Sequence, residues 1–399
     1  MSRNSHLSAI SVQVISNGAV AALSFGIVVL LARVMGPVAF GRYNFLLSVA
    51  ALFMILQDGG FRNLIYRELI RPTYSRESAD QILPLGLGHL SVVTLAGVAV
   101  CLVLPVSGDL RAGLAASCFC FGCVACANYI SALYQSRGLF GKDARWQLAL
   151  RVVSGLCIAS TLLFLSVRPW VVFLAWSIGT CLCLLAVGGE FRAPRFQAFT
   201  RTPFASACLS FMFINASTAL YHRVDIIMLE LLQGGEGVGQ YAAAYRFLDG
   251  FILLATPVGV VLFHKLRRIG RDRALFRREV ARYGAVLMGV GAGLFFGAVL
   301  LGEAVASLVY GARYAATAGL LPVLFLALVF NLPNGVLTQA VVADNREGAY
   351  AKAAFACALV NGGLNLVFIP AWGPMGAALA TVATEAVLTA LLLYILVGK

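Results

Sequence analysis

The chain has 399 residues, of which 60% are hydrophobic and 12% are charged, and its formal net charge is +13. A soluble domain carries roughly twice that share of charged residues. Apolar runs of about 18 residues or more, long enough to cross a bilayer as a helix, recur along the whole chain, which excludes a soluble enzyme held by a single anchor.

The first apolar stretch follows a short polar start and covers residues 10–32. It is too long for the apolar region of a signal peptide, and Arg33 and Gly36-Pro37 follow it where a small-x-small cleavage site would stand. We therefore interpret it as the first of about twelve spans. The predicted spans are 10–33, 38–57, 82–106, 112–134, 146–167, 170–188, 205–231, 239–263, 282–302, 319–343, 352–370 and 374–397.

The second span is the weakest, because it contains Arg42 and Asn44. The segment after it is amphipathic and predicts a helix that lies along the membrane surface. Its apolar face consists of Phe61, Leu64, Ile65 and Leu69.

The basic residues support this count. With the N-terminus inside, the inside segments hold 22 of the 30 Lys and Arg residues, the outside segments 5 and the spans 3. Because basic residues concentrate in cytoplasmic loops, we predict a multi-pass membrane protein with both termini in the cytoplasm. Topology thus explains the positive charge, and no nucleic-acid partner is predicted.

Four cysteines, Cys118, Cys120, Cys123 and Cys126, form a run that resembles a metal motif. The run lies within an apolar segment without a neighbouring His or carboxylate, and cysteine also behaves as a small hydrophobic residue. We predict no metal site and no cofactor.

The two halves of the chain share a weak repeat. At an offset of 198 positions, Gly36, Gly41, Tyr43 and Asn17 recur as Gly234, Gly239, Tyr241 and Asn215. The pattern G-x4-G-x-Y follows the first span of each six-span half, and predicts a tight turn at the outer surface with the tyrosine at interface depth. Two similar halves with a cleft between them are a common plan for alternating-access transporters.

Several segments resemble Wzx-type polysaccharide biosynthesis flippases. The similar segments are 31–43 (LARVMGPVAFGRY), 57–63 (QDGGFRN), 225–229 (DIIML), 237–246 (GVGQYAAAYR), 365–370 (NLVFIP) and 373–381 (GPMGAALAT). The resemblance implies the fold of the multidrug/oligosaccharidyl-lipid/polysaccharide (MOP) exporters, which is an all-α polytopic membrane protein with two six-helix lobes around a cavity. It assigns residues 1–190 to one lobe and 200–399 to the other.

The resemblance also implies a function. The expected protein is a flippase of the bacterial inner membrane. It moves an undecaprenyl-pyrophosphate-linked oligosaccharide, the repeat unit of an O-antigen, capsule or exopolysaccharide, from the cytoplasmic to the outer face of that membrane. Its expected partners are this lipid-linked oligosaccharide, membrane lipids, a polysaccharide polymerase and chain-length proteins. The lipid II flippase of the same superfamily typically has fourteen spans, so twelve favour the Wzx branch.

Intramembrane arginines are the candidate substrate ligands, because a guanidinium binds phosphate with paired hydrogen bonds and keeps its charge. Arg223 and Arg246 are the main candidates, with Asn17, Arg42 and Arg62 in the first half. Arg223 and Arg246 could instead only neutralise Asp225 and Asp249, and Arg42 and Arg62 could be ordinary interfacial charges.

Three carboxylates are candidates for an ion-coupling or a structural role: Asp225, Asp249 and Glu385. A desolvated carboxylate can carry a proton or a sodium ion, but interhelical hydrogen bonds explain it equally. Asn331, Asn334, Asn361 and Asn365 form polar stripes on the neighbouring spans and are expected to bond between helices first.

Three other classes remain as alternatives. A MATE-like exporter of drugs or small solutes would share the fold but would favour carboxylates in its cavity. A membrane polymerase or ligase would need a large outer loop with catalytic residues, and no such loop or catalytic motif stands out, so no enzyme activity is predicted. A passive scaffold gives no reason for the charges in spans seven and eight.

Overall fold

The computed structural model describes residues 3–69, 76–165, 167–190, 193–197, 204–269 and 272–398, without the side chains of 3–17, 76–80, 214, 218, 221, 256, 257 and 260. Across this part of the chain the regular structure is helical. The α-helices are α1 Arg3–Asp58, α2 Phe61–Leu69, α3 Arg76–Val103, α4 Gly108–Ser136, α5 Phe140–Phe164, α6 Pro169–Ala186, α7 Ala205–Leu232, α8 Glu236–Ile269, α9 Arg273–Tyr310, α10 Ala315–Ala343, α11 Glu347–Trp372 and α12 Pro374–Val397.

The helices confirm the predicted fold class, an all-α polytopic membrane protein. Among the described residues, nine helical segments are long and apolar enough to cross a membrane, and the first of them, Gly18–Asp58, is 41 residues long. That length accommodates the first two predicted spans in one bent helix. Helices α7 and α8 have 28 and 34 residues. They contain the polar residue His222 and the charged residues Arg223 and Arg246, which lower their hydropathy.

The bend in α1 replaces the turn that the sequence predicts after the first span. Gly36 has φ 74° and ψ 171°, a conformation that glycine adopts at little cost. Pro37 follows and cannot donate the backbone hydrogen bond that would continue the helix. The repeat partner Gly234 also has a positive φ, 62°.

Helix α2 confirms the predicted amphipathic segment, but its apolar face packs on protein. Phe61, Leu64 and Ile65 are buried in a cluster with Tyr129 and Leu133 of α4. The preceding Gly59 and Gly60, both at positive φ, turn the chain sharply. The position of α2 is therefore set by the helices α3 and α4 that cover it, rather than by the membrane surface alone.

An acidic side chain caps α2. The carboxylate of Asp58 accepts hydrogen bonds from the backbone N–H of Gly60 at 3.1 Å and of Arg62 at 3.3 Å. Tyr129 donates its hydroxyl to the carbonyl of Asp58 at 2.8 Å. Capping of this kind satisfies N–H groups that a helix leaves unpaired.

Packing divides the chain into two compact units. Unit 1 comprises the residues up to Met35 and Leu46–Ala219, and unit 2 comprises Gly36–Phe45 and Leu220–Lys399. The segment 36–45 thus packs with the second unit, although it precedes most of the first in the chain. The division into lobes 1–190 and 200–399 stays a prediction.

Two glycines of the sequence repeat explain this packing, because they touch each other within unit 2. A Cβ atom on Gly239 would lie 1.9 Å from the carbonyl oxygen of Pro37, and one on Gly41 would lie 2.8 Å from the backbone nitrogen of Gly239. Small residues allow such close helix contacts in membranes. The second glycine of each G-x4-G pair is therefore required by a helix crossing.

We predict that Gly239→Ala destabilises the purified protein, because the added methyl group overlaps the backbone of the 36–45 segment. Overpacking of this kind costs about 1–3 kcal/mol. Gly250→Ala, in the same helix, is the matched control, since a Cβ there meets no atom within 4 Å. Thermal unfolding in detergent measures both, and equal melting temperatures would contradict the proposed crossing.

Candidate functional site

A carboxylate on α12 lies at the centre of a buried polar network in unit 2. Glu385 is only 3% exposed. Its oxygens Oε1 and Oε2 accept hydrogen bonds from Nδ2 of Asn331 and Nδ2 of Asn334, each at 2.8 Å. Thr389 donates to Oδ1 of Asn334 at 2.8 Å. Hydrogen bonds from α10 thus offset the several kcal/mol that an isolated buried carboxylate costs.

A second buried carboxylate links α7 to α8. Asp225 is 3% exposed and accepts the backbone N–H of Ile226 at 2.8 Å and the hydroxyl of Tyr241. The Tyr241 oxygen lies 3.4 Å from Oγ1 of Thr381 on α12. Tyr241, which the repeat placed at interface depth, is fully buried and serves here as the partner of an acid.

Both carboxylates line one cavity inside unit 2. Its volume is about 10 Å³, close to the room that one water molecule needs. The polar residues around it are His222, Asp225, Tyr245, Asn331, Asn361, Thr381 and Glu385. The cavity therefore brings the ion-coupling candidates Asp225 and Glu385 together, from α7 and α12.

The asparagines of α11 extend this network. Asn361 donates to Oγ1 of Thr384 at 3.2 Å, and Asn365 donates to Oδ1 of Asn361 at 2.9 Å. The buried Oδ1 of Asn365 has no hydrogen-bond partner among the described residues. Asn331, Asn334 and Asn361 thus bond to α12, as the polar stripes predict, whereas Asn365 donates within its own helix.

Arg246 on α8 is held by two partners. Its NH2 group donates to Oδ1 of Asn44 at 2.9 Å, and NH1 lies 3.6 Å from Oδ2 of Asp249. The side chain of Arg246 is 17% exposed and that of Asp249 is 41% exposed. The pair confirms that residues three apart share a helix face. Asn44 is fully buried, so its position limits where the guanidinium can lie.

Arg223 on α7 differs from Arg246, because it makes no hydrogen bond or ion pair with any described residue. Its side chain is half-buried. Asp225, the acid two residues further along the sequence, accepts hydrogen bonds from Tyr241 and Ile226. The hydrogen-bond donors of Arg223 thus have no partner among the described residues, although its charge interacts with the carboxylate of Asp225 through space.

The remaining candidates are not part of the network. Arg42, in unit 2, and Arg62, in unit 1, are both exposed. Arg62 bonds to Asp58 only through its backbone N–H. The side chain of Asn17 lies outside the described residues.

Two partners were not singled out from the sequence. Asn44 was noted only as a polar residue that weakens the second span, and Tyr241 only as a member of the repeat. A polar residue within an apolar run is itself a signal, because each such group needs a partner in the bilayer. The sequence does not show which helix provides that partner.

The fold is that of MOP superfamily transporters. The structure is similar to the lipid II flippase MurJ in its inward closed conformation, with a TM-score of 0.72 and 18% identity, covering 96% of this chain and 86% of that one. An inward-facing MATE multidrug resistance transporter of the MOP superfamily gives a TM-score of 0.60 and 13% identity. That match covers 93% of this chain and 92% of the transporter. An outward-facing MATE multidrug resistance transporter of the same superfamily gives a TM-score of 0.58 and 12% identity. That match covers 97% of this chain and 93% of the transporter.

Sequence comparison supplies the family. A search of curated protein sequences finds no significant match. The sequence profile of the family described as "Polysaccharide biosynthesis protein" matches residues 7–263, which is more than half of the chain. The chain is therefore a multi-pass membrane protein that belongs to the polysaccharide biosynthesis protein family.

Proposed function

We propose that this protein is a flippase that moves an undecaprenyl-pyrophosphate-linked oligosaccharide from the cytoplasmic to the outer face of the bacterial inner membrane by alternating access. The oligosaccharide would be the repeat unit of an O-antigen, capsule or exopolysaccharide. The family and the fold, which are those of lipid flippases and transporters, support this proposal. Both termini would lie in the cytoplasm, and a polymerase and chain-length proteins would receive the product.

The observation that carries the proposal is the guanidinium of Arg223. An arginine in a membrane helix costs about 3 kcal/mol on insertion scales, and such residues usually pair or line a pathway. Arg223 has no ion-pair partner in the described part of the chain. A pyrophosphate is a suitable partner, because its oxygens accept the paired hydrogen bonds that a guanidinium donates.

Arg246 is proposed as the second phosphate ligand. Its bond to the buried Asn44 fixes the guanidinium, so little rotamer entropy is lost on binding. The ion pair with Asp249 is 3.6 Å long and partly exposed, and pairs of this kind contribute only about 0–1 kcal/mol. A phosphate can therefore compete with Asp249 for Arg246.

Ion coupling is proposed for the cavity that Asp225 and Glu385 line. Flipping changes no covalent bond, so an uphill cycle needs an external gradient. The cavity has room for about one water molecule and contains two carboxylates from different helices. A proton or cation bound there would change the charge of the network, and with it the contacts between α7, α10 and α12.

A MATE-like exporter of small solutes is the second candidate function. The observation that favours it is the same pair of buried carboxylates. An organic cation would be attracted electrostatically to those carboxylates. The oxygens of Glu385 and Asp225 already accept hydrogen bonds from Asn331, Asn334 and Tyr241, which makes this function a weaker candidate than lipid flipping.

We predict that Arg223→Ala weakens binding of undecaprenyl pyrophosphate by the purified protein about tenfold or more, because a hydrogen bond to a charged group contributes about 1.5–3 kcal/mol. Arg246→Ala should act similarly. Binding of a neutral polyprenol of equal length should not change. Arg267→Ala is the control, since Arg267 is exposed and bonds to Asn345.

Raising the salt concentration should weaken the pyrophosphate preference of the wild type. Equal binding of both lipids by the wild type would rule out the phosphate-binding role, and drug-like cations would then be the ligands to test.

We predict that Glu385→Gln removes the dependence of transport on an ion gradient. Gln keeps the shape and can still accept a hydrogen bond, but it cannot carry a proton or a cation. Lipid flipping in proteoliposomes, with and without a proton or sodium gradient, measures the effect, and Asp249→Asn is the comparison because Asp249 lies outside the cavity. A large loss of melting temperature with an unchanged gradient response in Glu385→Gln would show that Glu385 is structural.

A further inference from the structure

Unit 1 contains a second and larger cavity, with a volume of about 570 Å³. It lies where α4 ends, α5 begins and α6 ends. Tyr134 of α4, Lys142, Arg145 and Trp146 of α5, and Leu182 of α6 are among its lining residues. None of these residues belongs to the proposed phosphate ligands or to the carboxylate network.

One face of α5 runs along this groove, and its character changes along the helix. Lys142, Arg145, Ala149 and Val153 are spaced by three, four and four residues, so they share that face. The two cations are in the first turns, and the apolar residues follow. Since a helix rises about 1.5 Å per residue, Val153 lies about 16 Å further along the axis than Lys142.

The two cations at the mouth of the groove have no acidic partner among the described residues. Arg145 donates Nε to the carbonyl of Gly141 at 3.2 Å, and both Lys142 and Arg145 are exposed. The nearby acids are already engaged. Asp143 accepts hydrogen bonds from Ser131 and Gln135.

A third cation at this end of unit 1 is neutralised. Arg137 forms an ion pair with Glu190 at 2.9 Å. Of these three cations, Lys142 and Arg145 at the groove are the two without an acidic partner among the described residues.

The rest of the groove is lined mainly by apolar residues, some of which are exposed. Leu182 is 52% exposed, and Ala149 is also exposed. The buried ring of Trp146 forms part of the wall and is fixed by a hydrogen bond from Nε1 to the carbonyl of Ala127 at 3.1 Å. The groove thus combines a cationic mouth, a rigid aromatic wall and an apolar channel.

We propose that this groove is a binding site for a resident anionic phospholipid. Its head-group phosphate would lie between Lys142 and Arg145, and one acyl chain would lie along Ala149, Val153 and Leu182. The order of the lining matches the order of a lipid leaflet, with charge at the surface and hydrocarbon beneath. Basic pockets between membrane helices on the cytoplasmic side bind anionic lipid head groups, and the charge bias of the sequence predicts that this end is cytoplasmic.

Binding at this groove would join α4, α5 and α6 through one ligand. A ligand that binds only the folded state raises its stability. The site is independent of Arg223 and Arg246, which belong to unit 2, so it does not rest on the proposed flippase activity.

The test uses the purified full-length protein and phosphatidylglycerol with brominated acyl chains, matched with phosphatidylcholine that has the same chains. Native mass spectrometry counts the retained lipid. Quenching of tryptophan fluorescence reports bromine near Trp146 in a protein whose other three tryptophans, Trp170, Trp176 and Trp372, are replaced by Phe. We expect retention of phosphatidylglycerol over phosphatidylcholine, and we expect the double variant Lys142→Gln/Arg145→Gln to lose about tenfold of that preference.

Two further variants separate charge from shape. Ala149→Phe fills the groove, keeps both cations and adds no tryptophan, so it should reduce both the retention of the two lipids and the quenching that they cause. Arg267→Gln/Arg268→Gln removes two cations from the last turn of α8, in unit 2, and should leave the preference unchanged.

Three results would overturn the proposal. The first is equal retention of both lipids by the wild type, and the second is an unchanged preference in the double Gln variant. The third is displacement of phosphatidylglycerol by undecaprenyl phosphate at an equal mole fraction, because the groove would then belong to the substrate chain.

Discussion

Hydrocarbon offers no hydrogen bonds, so each polar side chain on a membrane helix must find a partner in the protein. Unit 2 meets this constraint for its acids: Glu385 takes two amide hydrogen bonds from α10, and Asp225 takes the hydroxyl of Tyr241 from α8. Each such bond contributes only about 0.6–2 kcal/mol, but leaving a buried carboxylate unpaired costs several times more. The polar network therefore sets which helix faces meet, and the apolar packing fills the space around it.

The helix crossings depend on a second constraint, the distance between backbones. Gly41 and Gly239 have no side chain at the point where the 36–45 segment meets α8, and a methyl group on Gly239 would overlap Pro37. The bend at Gly36, at positive φ, directs that segment onto α8. The close approach also brings Asn44 within 2.9 Å of Arg246. A backbone feature thus decides the position of a cationic side chain that is proposed to bind substrate.

Much of this fold follows from the sequence because its signals are strong and local. Apolar length predicts the spans, and the spacing of Phe61, Leu64 and Ile65 predicts α2. The polar stripes predict that Asn331 and its neighbours bond between helices. The pairings could not be derived, since a stripe does not tell which helix it faces. The contact of Asn44 with Arg246 joins residues 202 positions apart in the chain, and no local pattern specifies such a contact.

The state of the charges in unit 2 favours an anionic substrate over a cationic one. A cation that binds Glu385 must compete with two amide N–H groups that already donate to the carboxylate, and those donors carry partial positive charge that opposes it. A small coupling ion, about the size of one water molecule, can tolerate this competition. A bulky organic cation is disfavoured further, because the cavity of about 10 Å³ is too small for it. At Arg223 the guanidinium forms no hydrogen bond or ion pair with the described residues, so an anion competes there only with the electrostatic attraction of the Asp225 carboxylate. These contacts support the proposal that Asp225 and Glu385 couple an ion and that Arg223 and Arg246 bind the phosphate.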